Sequence, residues 1–537
     1  MKIISKRASL QVGGLVVLLI LLAYTIFSTV RLSGGHMFYT LDDAYIHLAV
    51  AEEISRGGYG INSGQYASPS SSMIYPYLLS YGIGFGISDL TPIIILSVFG
   101  LFSVWMFVGF YWEHAVNRKC PASVIFAFVS LPFIVTMINA TGLIATGMEH
   151  MIHVFATIAA IVGVSEIGRR RSSSLSLALL GAAIAPLVRF EGLALSFGVL
   201  LILLYRRHFI SSLLLVSVIG LFFLTYFSWT QSVGLPMLPS PILVKSSAIS
   251  AAAGGHIESI FFAVFQNIKE AILGYRGGRS SYLLLFFPVV AMFTLGAGIV
   301  DSAPKVNVLM VTLIVVLAHL SLGDYDGWSR YEVYVIAAIA MATILVFSDF
   351  LISGDCRSSC LKSFALLGAV FLIAANYFSD TKSSPDASQK IYSQQYQMHR
   401  FATKFFPEPV AVNDLGWVSY NNDNYVLDLW GLGSEEARII RTHQGYSAKT
   451  LNQLVENHSI PFAMIFEEWF VGAIPEKWCR VATLSSPEVS PGDADVAFFV
   501  VDVSRESEVR AAISLFAEGV PETTIIRHSS CEERKFR

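Results

Sequence analysis

Two adjacent carboxylates, Asp42 and Asp43, stand in the stretch Leu41-Asp42-Asp43-Ala44-Tyr45-Ile46. Neighbouring carboxylates repel each other, so one of them holds a proton more tightly unless a cation intervenes. Such a pair can deprotonate an alcohol or hold a divalent cation. The same residues can instead open a helix over 44–55, with Asp43 as its N-cap. If Asp43 caps, backbone amides occupy its oxygens and make it more acidic. Asp42 is then the better base and the one expected to face a cavity.

Further residues of chemical character are spread along the chain. Lys245 follows Leu238-Pro239-Ser240-Pro241, and Asp324 and Asp326 precede Arg330. Cations at these points fit a phosphate partner, arginine through forked contacts and lysine as a point charge. Ordinary headgroup contact or snorkelling accounts for them equally well. Arg189 and Glu191 can form a supporting ion pair, and Glu149 stands beside His150. His150 and His153 could share a metal or a proton; with no third ligand close in sequence, buried hydrogen-bonded histidines are expected. The run Gly57-Gly58-Tyr59-Gly60-Ile61-Asn62-Ser63-Gly64, with Ala67-Ser68-Pro69-Ser70 after it, reads as a tightly folded loop.

The chain that must position these groups is mostly apolar. Of its 537 residues 54% are hydrophobic and 14% charged, where soluble domains carry about 25% charge. The deficit falls mainly before residue 380, and the net charge of −3 gives no basis for nucleic-acid binding. Cytoplasmic loops carry an excess of Lys and Arg, so basic clusters locate the inner ends of spans. Lys2, Lys6 and Arg7 put the N-terminus inside. The apolar run 12–30 is long enough for an uncleaved first span rather than a signal peptide. Runs at 91–112, 121–139, 148–167, 210–230, 281–300, 306–322, 331–352 and 363–378 add spans. The stretch 174–205 lies between Arg169-Arg170-Arg171 and Arg206-Arg207-His208, so it must cross an even number of times, with a break at Pro186, Arg189 and Glu191. The total is about eleven spans, and the amphipathic segment 259–275 is expected to lie on the outer surface. On this reading the polar segments named above all lie outside.

Domain organisation follows: a transmembrane part over 1–385 and a soluble outer α/β domain over 386–537. In the latter, strands are expected at 409–412, 425–429, 461–466, 481–484 and 496–503, and helices at 435–442, 448–457 and 505–518. No glycine-rich phosphate fingerprint opens any of these helices. Asn413-Asp414-Leu415-Gly416 ends the first strand, where α/β folds often place ligand groups; a turn capping the next helix fits as well. Five cysteines make no CxxC pair. Cys356 and Cys360 fall in an inner connection and are expected to stay reduced. Cys479 and Cys531 share the outer domain and are expected close enough to pair.

Taken in order, these stretches resemble a known family. The chain looks like a membrane glycosyltransferase of the GT-C class, nearest to the group of mycobacterial arabinofuranosyltransferases and related bacterial polyprenyl-phosphate-sugar enzymes. The resemblance is carried by Asp42-Asp43-Ala44-Tyr45-Ile46, Tyr66-Ala67-Ser68-Pro69, Thr141-Gly142-Leu143 through Gly147-Met148-Glu149, and Arg189-Phe190-Glu191-Gly192-Leu193. Leu238-Pro239-Ser240-Pro241 with Lys245, Gly323-Asp324 with Arg330, and Val410-Ala411-Val412-Asn413-Asp414-Leu415-Gly416 complete the set. Ser240 stands where relatives often have Asn, and Thr141-Gly142-Leu143 departs from a tighter Ser-Gly-Leu-Glu form.

The resemblance implies a polytopic GT-C-like fold in the bacterial inner (plasma) membrane. It implies transfer of a monosaccharide from a polyprenyl-phosphate donor to a hydroxyl of a cell-envelope glycan or glycolipid at the outer face. Asp42 and Asp43 would be catalytic, with a divalent cation left open, and Lys245, Arg330, Glu149, Arg189, Glu191 and Asp324 would meet substrate. A lipid-linked oligosaccharide ligase or polymerase is the enzymatic alternative, and should depend on basic residues in a large outer loop. A transporter should show repeated halves and midmembrane charges, neither of which is found. A protein that only binds lipid-linked sugar is the third reading.

Overall fold

The computed structural model describes the chain apart from residues 1, 168–171, 246–256, 274–277, 326–327, 487–494 and 532–537. The basic cluster at 169–171 and Asp326 therefore lie outside the described residues, as does the side chain of Lys245. The chain is 69% helical, and the described residues hold one six-stranded sheet. Among the described residues, five helices are long and apolar enough to cross a membrane: Lys6–Leu32, Ser88–Ala115, Phe209–Ser232, Ala303–Leu322 and Cys356–Phe405. His150–Ser165, Ser173–Val188, Gly192–Tyr205, Tyr282–Gly296 and Val333–Val346 are apolar but shorter. Two compact units form, one of residues 1–25, 93–225 and 247–383, the other of residues 26–92, 226–246 and 384–537.

The first unit is helical. The expected span at 121–139 is broken into Pro121–Val129 and Leu131–Met137; Pro132 falls in the first turn of the second, where its missing N–H is no loss. The stretch 174–205 forms Ser172–Val188 and Gly192–Tyr205, with Arg189, Phe190 and Glu191 in the break. His150–Ser165 meets Ser172–Val188 backbone to backbone. A Cβ on Gly163 would lie 2.3 Å from the Ala178 nitrogen, and one on Gly181 would lie 2.3 Å from the Ala156 carbonyl oxygen. Small residues at such crossings are what lets apolar helices gain close van der Waals packing without a water-driven force. The helix Ile257–Leu273 carries outward-facing Phe261, Phe262 and Phe265.

One cysteine expectation fails here. Cys356 is paired with Cys120, their Cα atoms 5.1 Å apart, and Cys360 is the free one. The reason is that two helix starts are fastened together. The Asn117 side-chain amide donates to Ser359 Oγ at 2.7 Å, and the hydroxyls of Ser123 and Ser363 lie 3.0 Å apart.

In the second unit the sheet runs β1 (Val410–Val412), β2 (Val426–Asp428), β3 (Phe462–Ile465), β4 (Cys479–Ser485), β5 (Asp495–Val500) and β6 (Ile525–His528). Their spatial order is β2-β1-β3-β5-β4-β6. β1 is parallel to both β2 and β3; β3 with β5, β5 with β4, and β4 with β6 are antiparallel. The first five strands fall where the sequence places them, and β6 is additional. Helices Glu435–Ile439, Ala448–Asn457 and Glu506–Ala517 match the expected three. Because the chain leaves β1 for one neighbour and returns to the other, the order reverses at β1. That is the position at which α/β sheets open a crevice beyond their strand ends, and Asn413 and Asp414 occupy it. Cys479 and Cys531 are bonded, with Cα atoms 4.9 Å apart, as expected. The helix Cys356–Ser393 runs through Pro385 without a break, so the shift in composition near residue 385 is not a change in secondary structure.

Candidate functional site

The acidic pair belongs to the second unit. The helix begins at Asp43, not after it, and Asp42 holds the N-cap position with helical φ and ψ of −65° and −30°. That backbone keeps its side chain off the first-turn amides, which an N-cap reaches from an extended conformation, and it makes no capping hydrogen bond. It turns instead to the segment after β1. Gly416 N–H donates to Asp42 Oδ2 at 2.6 Å and Trp417 N–H to Oδ1 at 2.9 Å. Only glycine fits there, since a Cβ on residue 416 would lie 2.1 Å from the Asp42 carbonyl oxygen. The expected division of labour is therefore corrected: Asp42 is the carboxylate tied to backbone amides, and Asp43, partly exposed, is not the cap.

Asp414 completes the cluster. Its Oδ2 accepts from Gln395 Nε2 at 2.8 Å. Burial, then the negative charge of Asp414, hold the Asp42 carboxyl well above its ordinary range, against the two amide hydrogen bonds that favour ionisation. Asp414 is also raised by burial; hydrogen bonds from Gln395 and Asp42 pull it back, Asp43 raises it again and Lys390 offsets part of that. Asp42 is buried and Asp414 half-buried, and each carboxyl biases the protonation of the other, with Asp43 beside them. Trp417 is packed by Tyr45 at 4.3 Å, Tyr396 at 5.0 Å, His399 at 5.4 Å and Phe38 at 5.5 Å between ring centroids, which fixes the amide that grips Asp42. In the same unit Ser240 N–H donates to the Ser68 carbonyl at 3.0 Å, joining the Leu-Pro-Ser-Pro stretch to the Ala67–Pro69 stretch.

A further carboxylate closes the neighbouring loop. Asp428, at the end of β2, is fully buried and accepts from the amides of Trp430, Leu432 and Gly433. Burial raises it to about 6 from 3.8 in spite of these bonds. A raised folded value means that its contribution to stability is complete below about 3.8 and is lost as pH rises through about 6. The loss is on the order of 3 kcal/mol, at about 1.4 kcal/mol per unit. The apparent unfolding temperature should fall more between pH 4.5 and 7 in the wild-type chain than in Asp428→Asn. Equal slopes in calorimetric scans would refute this.

The first unit holds a separate polar cluster. Arg189 Nη1 donates to Glu149 Oε1 at 2.9 Å and Nη2 to Glu191 Oε1 at 2.8 Å. Its guanidinium carbon lies 5.2 Å from the centre of the Tyr331 ring, and that of Arg330 lies 4.9 Å from the same ring. Two cations and two carboxylates thus meet around one tyrosine. Arg330 Nη2 also donates to Tyr331 Oη at 3.0 Å. The turn ahead of Arg330 is strained: Trp328 and Ser329 both have left-handed φ, 68° and 48°. Asn139, itself at φ 45°, holds this turn by donating to the Ser329 carbonyl at 3.1 Å. Strain of this kind persists where surrounding structure imposes it, and it gathers at functional sites. Asp324 Oδ1 accepts from the Tyr325 amide. His150 and His153 are buried but packed rather than hydrogen-bonded through their outer nitrogens. His153 stacks on Tyr334 at 4.1 Å, and neither ring nitrogen of His150 has a hydrogen-bond partner.

Among the described residues, the group that brings three ligand atoms within 4.8 Å is Cys479, Glu506 and Cys531. Its two sulfurs are bonded to each other, which leaves no thiolate for a metal.

Stretches far apart in sequence thus meet in pairs: 42–46 with 410–416, 67–69 with 238–241, and 147–149 with 189–193. A family profile described as a domain of unknown function (DUF8728) matches residues 389–499. No curated protein matches the chain. Among solved structures, ArnT from Cupriavidus metallidurans aligns with a TM-score of 0.50 at 11% identity, over 90% of this chain and 98% of that one. The Archaeoglobus fulgidus oligosaccharyltransferase aligns over 97% of this chain and 78% of that one, at 13% identity and a TM-score of 0.43. Both are GT-C glycosyltransferases. The near-complete alignment with ArnT and the ordered motifs agree: the chain has the GT-C fold.

Proposed function

We propose that this chain is a glycosyltransferase that moves a monosaccharide from a polyprenyl-phosphate donor to an acceptor hydroxyl. The observation that carries the reading is the acidic cluster at the reversal point of the sheet, in a chain with the GT-C fold. Asp42, pinned by two amides and biased toward its protonated form by burial and by Asp414, serves as support. Asp43 is left as the base. In the reaction Asp43 takes the hydroxyl proton, the hydroxyl oxygen bonds to the anomeric carbon, and the bond from that carbon to phosphate oxygen breaks. The polyprenyl phosphate leaves with its negative charge. Lys245 and Arg330 are, by residue type, the cations for that phosphate. Arg189, Glu149 and Glu191 supply a rigid polar frame within the helical unit, and Asp324 belongs to the Arg330 turn. Positioning and charge stabilisation supply much of the acceleration. A divalent cation beside Asp43 is compatible with this scheme, though no step requires one.

The test is an assay in membranes with a panel of polyprenyl-phosphate monosaccharides, following which lipid is consumed and whether Asp43→Asn still consumes it. Consumption of none of the lipids by the wild-type chain would refute the donor class. The reading also places the chain in the bacterial plasma membrane, N-terminus inside, with 386–537 as an outer domain. Reporter fusions at Gly34 and Ser530 should both give an outer signal, and an inner signal at Ser530 would overturn the sidedness.

A further inference from the structure

A cavity of about 200 Å³ lies in the second unit, lined by Glu53, Arg56, Tyr59, Tyr66, Gln65 and the glycine-rich loop. At roughly 30 Å³ per water it would hold six or seven waters, the size of one sugar ring. Its walls are built before any ligand arrives. Arg56 is held by Glu52 at 2.8 Å, Glu53 at 3.1 Å and Asp423 at 3.4 Å. The loop is fastened to the sheet edge by Asn62, whose amide donates to the Val426 carbonyl at 2.9 Å while its oxygen accepts from Val426 N–H at 2.8 Å. Gly60 is pressed against the returning strand, since a Cβ there would lie 2.6 Å from the Gln65 carbonyl oxygen. Tyr59 and Tyr66 both pack edge-on against Trp229.

The chemistry of these walls suits a polyhydroxylated ring. Carboxylate and side-chain carbonyl oxygens can accept from hydroxyls, guanidinium and amide groups can donate to them, and the tyrosine rings in the wall offer apolar contact to C–H groups. The cavity sits at the far end of the helix that begins at Asp43. From Asp43 to Glu53 is ten residues, or about 15 Å at 1.5 Å each. A sugar bound here is not the one that reacts.

We infer that this cavity is a remote acceptor subsite, which takes a sugar unit further along a glycan whose terminal hydroxyl meets Asp43. The inference rests on the proposed transferase reading and adds that the acceptor is an oligosaccharide. Binding energy from a remote unit can be used to hold the reacting hydroxyl in place.

The test measures binding directly, so it does not depend on transfer. The full chain in lipid nanodiscs is titrated with linear trisaccharides of glucose, galactose, mannose and arabinose, with the matching monosaccharides as controls, by saturation-transfer NMR. At least one trisaccharide should bind more tightly than its monosaccharide. Tyr66→Ala, at an exposed position, should weaken it about tenfold, a contact of roughly 1.4 kcal/mol. Ser63→Trp, which fills the cavity from its exposed rim, should abolish it. Asp43→Asn should leave binding intact. Absence of binding for the whole panel, or binding unchanged in both cavity variants, would overturn the subsite. Retained binding with unimpaired transfer in Asp43→Asn would instead refute the catalytic reading and spare the subsite.

Discussion

Asp43→Asn should lower the rate of sugar transfer by roughly 10²–10⁴-fold, the range for loss of a general base, with normal insertion and stability. Asp43 is partly exposed and opens its helix without serving as the cap, and an asparagine keeps its size and shape. Asp42→Asn should behave differently. Its two oxygens receive the amides of Gly416 and Trp417, and an asparagine offers one oxygen where two are needed. One buried N–H would then face an NH₂ group, at a cost of about 1–3 kcal/mol. Asp42→Asn should therefore lose stability as well as rate, and the two variants separate by thermal unfolding before any assay of turnover. Wild-type transfer by Asp43→Asn would sink the assignment. A rate defect confined to Asp42→Asn, with unfolding unchanged, would return the base to Asp42.

The acidic pair was legible in the sequence, but its internal division was not. The amides that occupy Asp42 come from residues 374 and 375 positions away, and no local rule connects them. Local reasoning instead offered Asp43 as a cap, because acidic residues commonly start helices. The sheet was legible for a physical reason: β1 to β5 are short apolar runs bounded by polar segments, which a buried strand requires. β6 was not, because Ile525–His528 is an edge strand with most of its side chains exposed and so carries no burial pattern. Around Arg330 the residue types were visible but the strained turn was invisible, since Trp328 and Ser329 are not residues that announce a left-handed backbone. The cavity at Gly57–Gly64 gave only a weak loop signal, because its walls depend on Asn62 pairing with β2.

Arg189→Ala should cost the chain stability before it costs it substrate. Its guanidinium makes hydrogen bonds to both Glu149 and Glu191, and the Glu149 side chain is fully buried. Removing the arginine takes a charged partner from a buried carboxylate, a change that typically costs 3–5 kcal/mol. The detergent-solubilised variant should show a clearly lowered unfolding temperature and reduced accumulation in membranes. The second substitution decides the mechanism. Glu149→Gln in the same chain removes the stranded charge and should recover much of the loss, giving a coupling energy of roughly 0.5–3 kcal/mol in a double-mutant cycle. A cation held mainly for a substrate phosphate gives the opposite pattern: unfolding near wild type, weakened donor use, and no recovery on adding Glu149→Gln. Arg330 is the internal comparison. It lies against the same tyrosine ring and donates to the Tyr331 hydroxyl. Because Arg330 is the cation proposed for the donor phosphate, Arg330→Ala should weaken donor use more than it lowers the unfolding temperature. If the two arginine variants gave the same ratio of lost stability to lost activity, the division between frame and phosphate partner would be wrong.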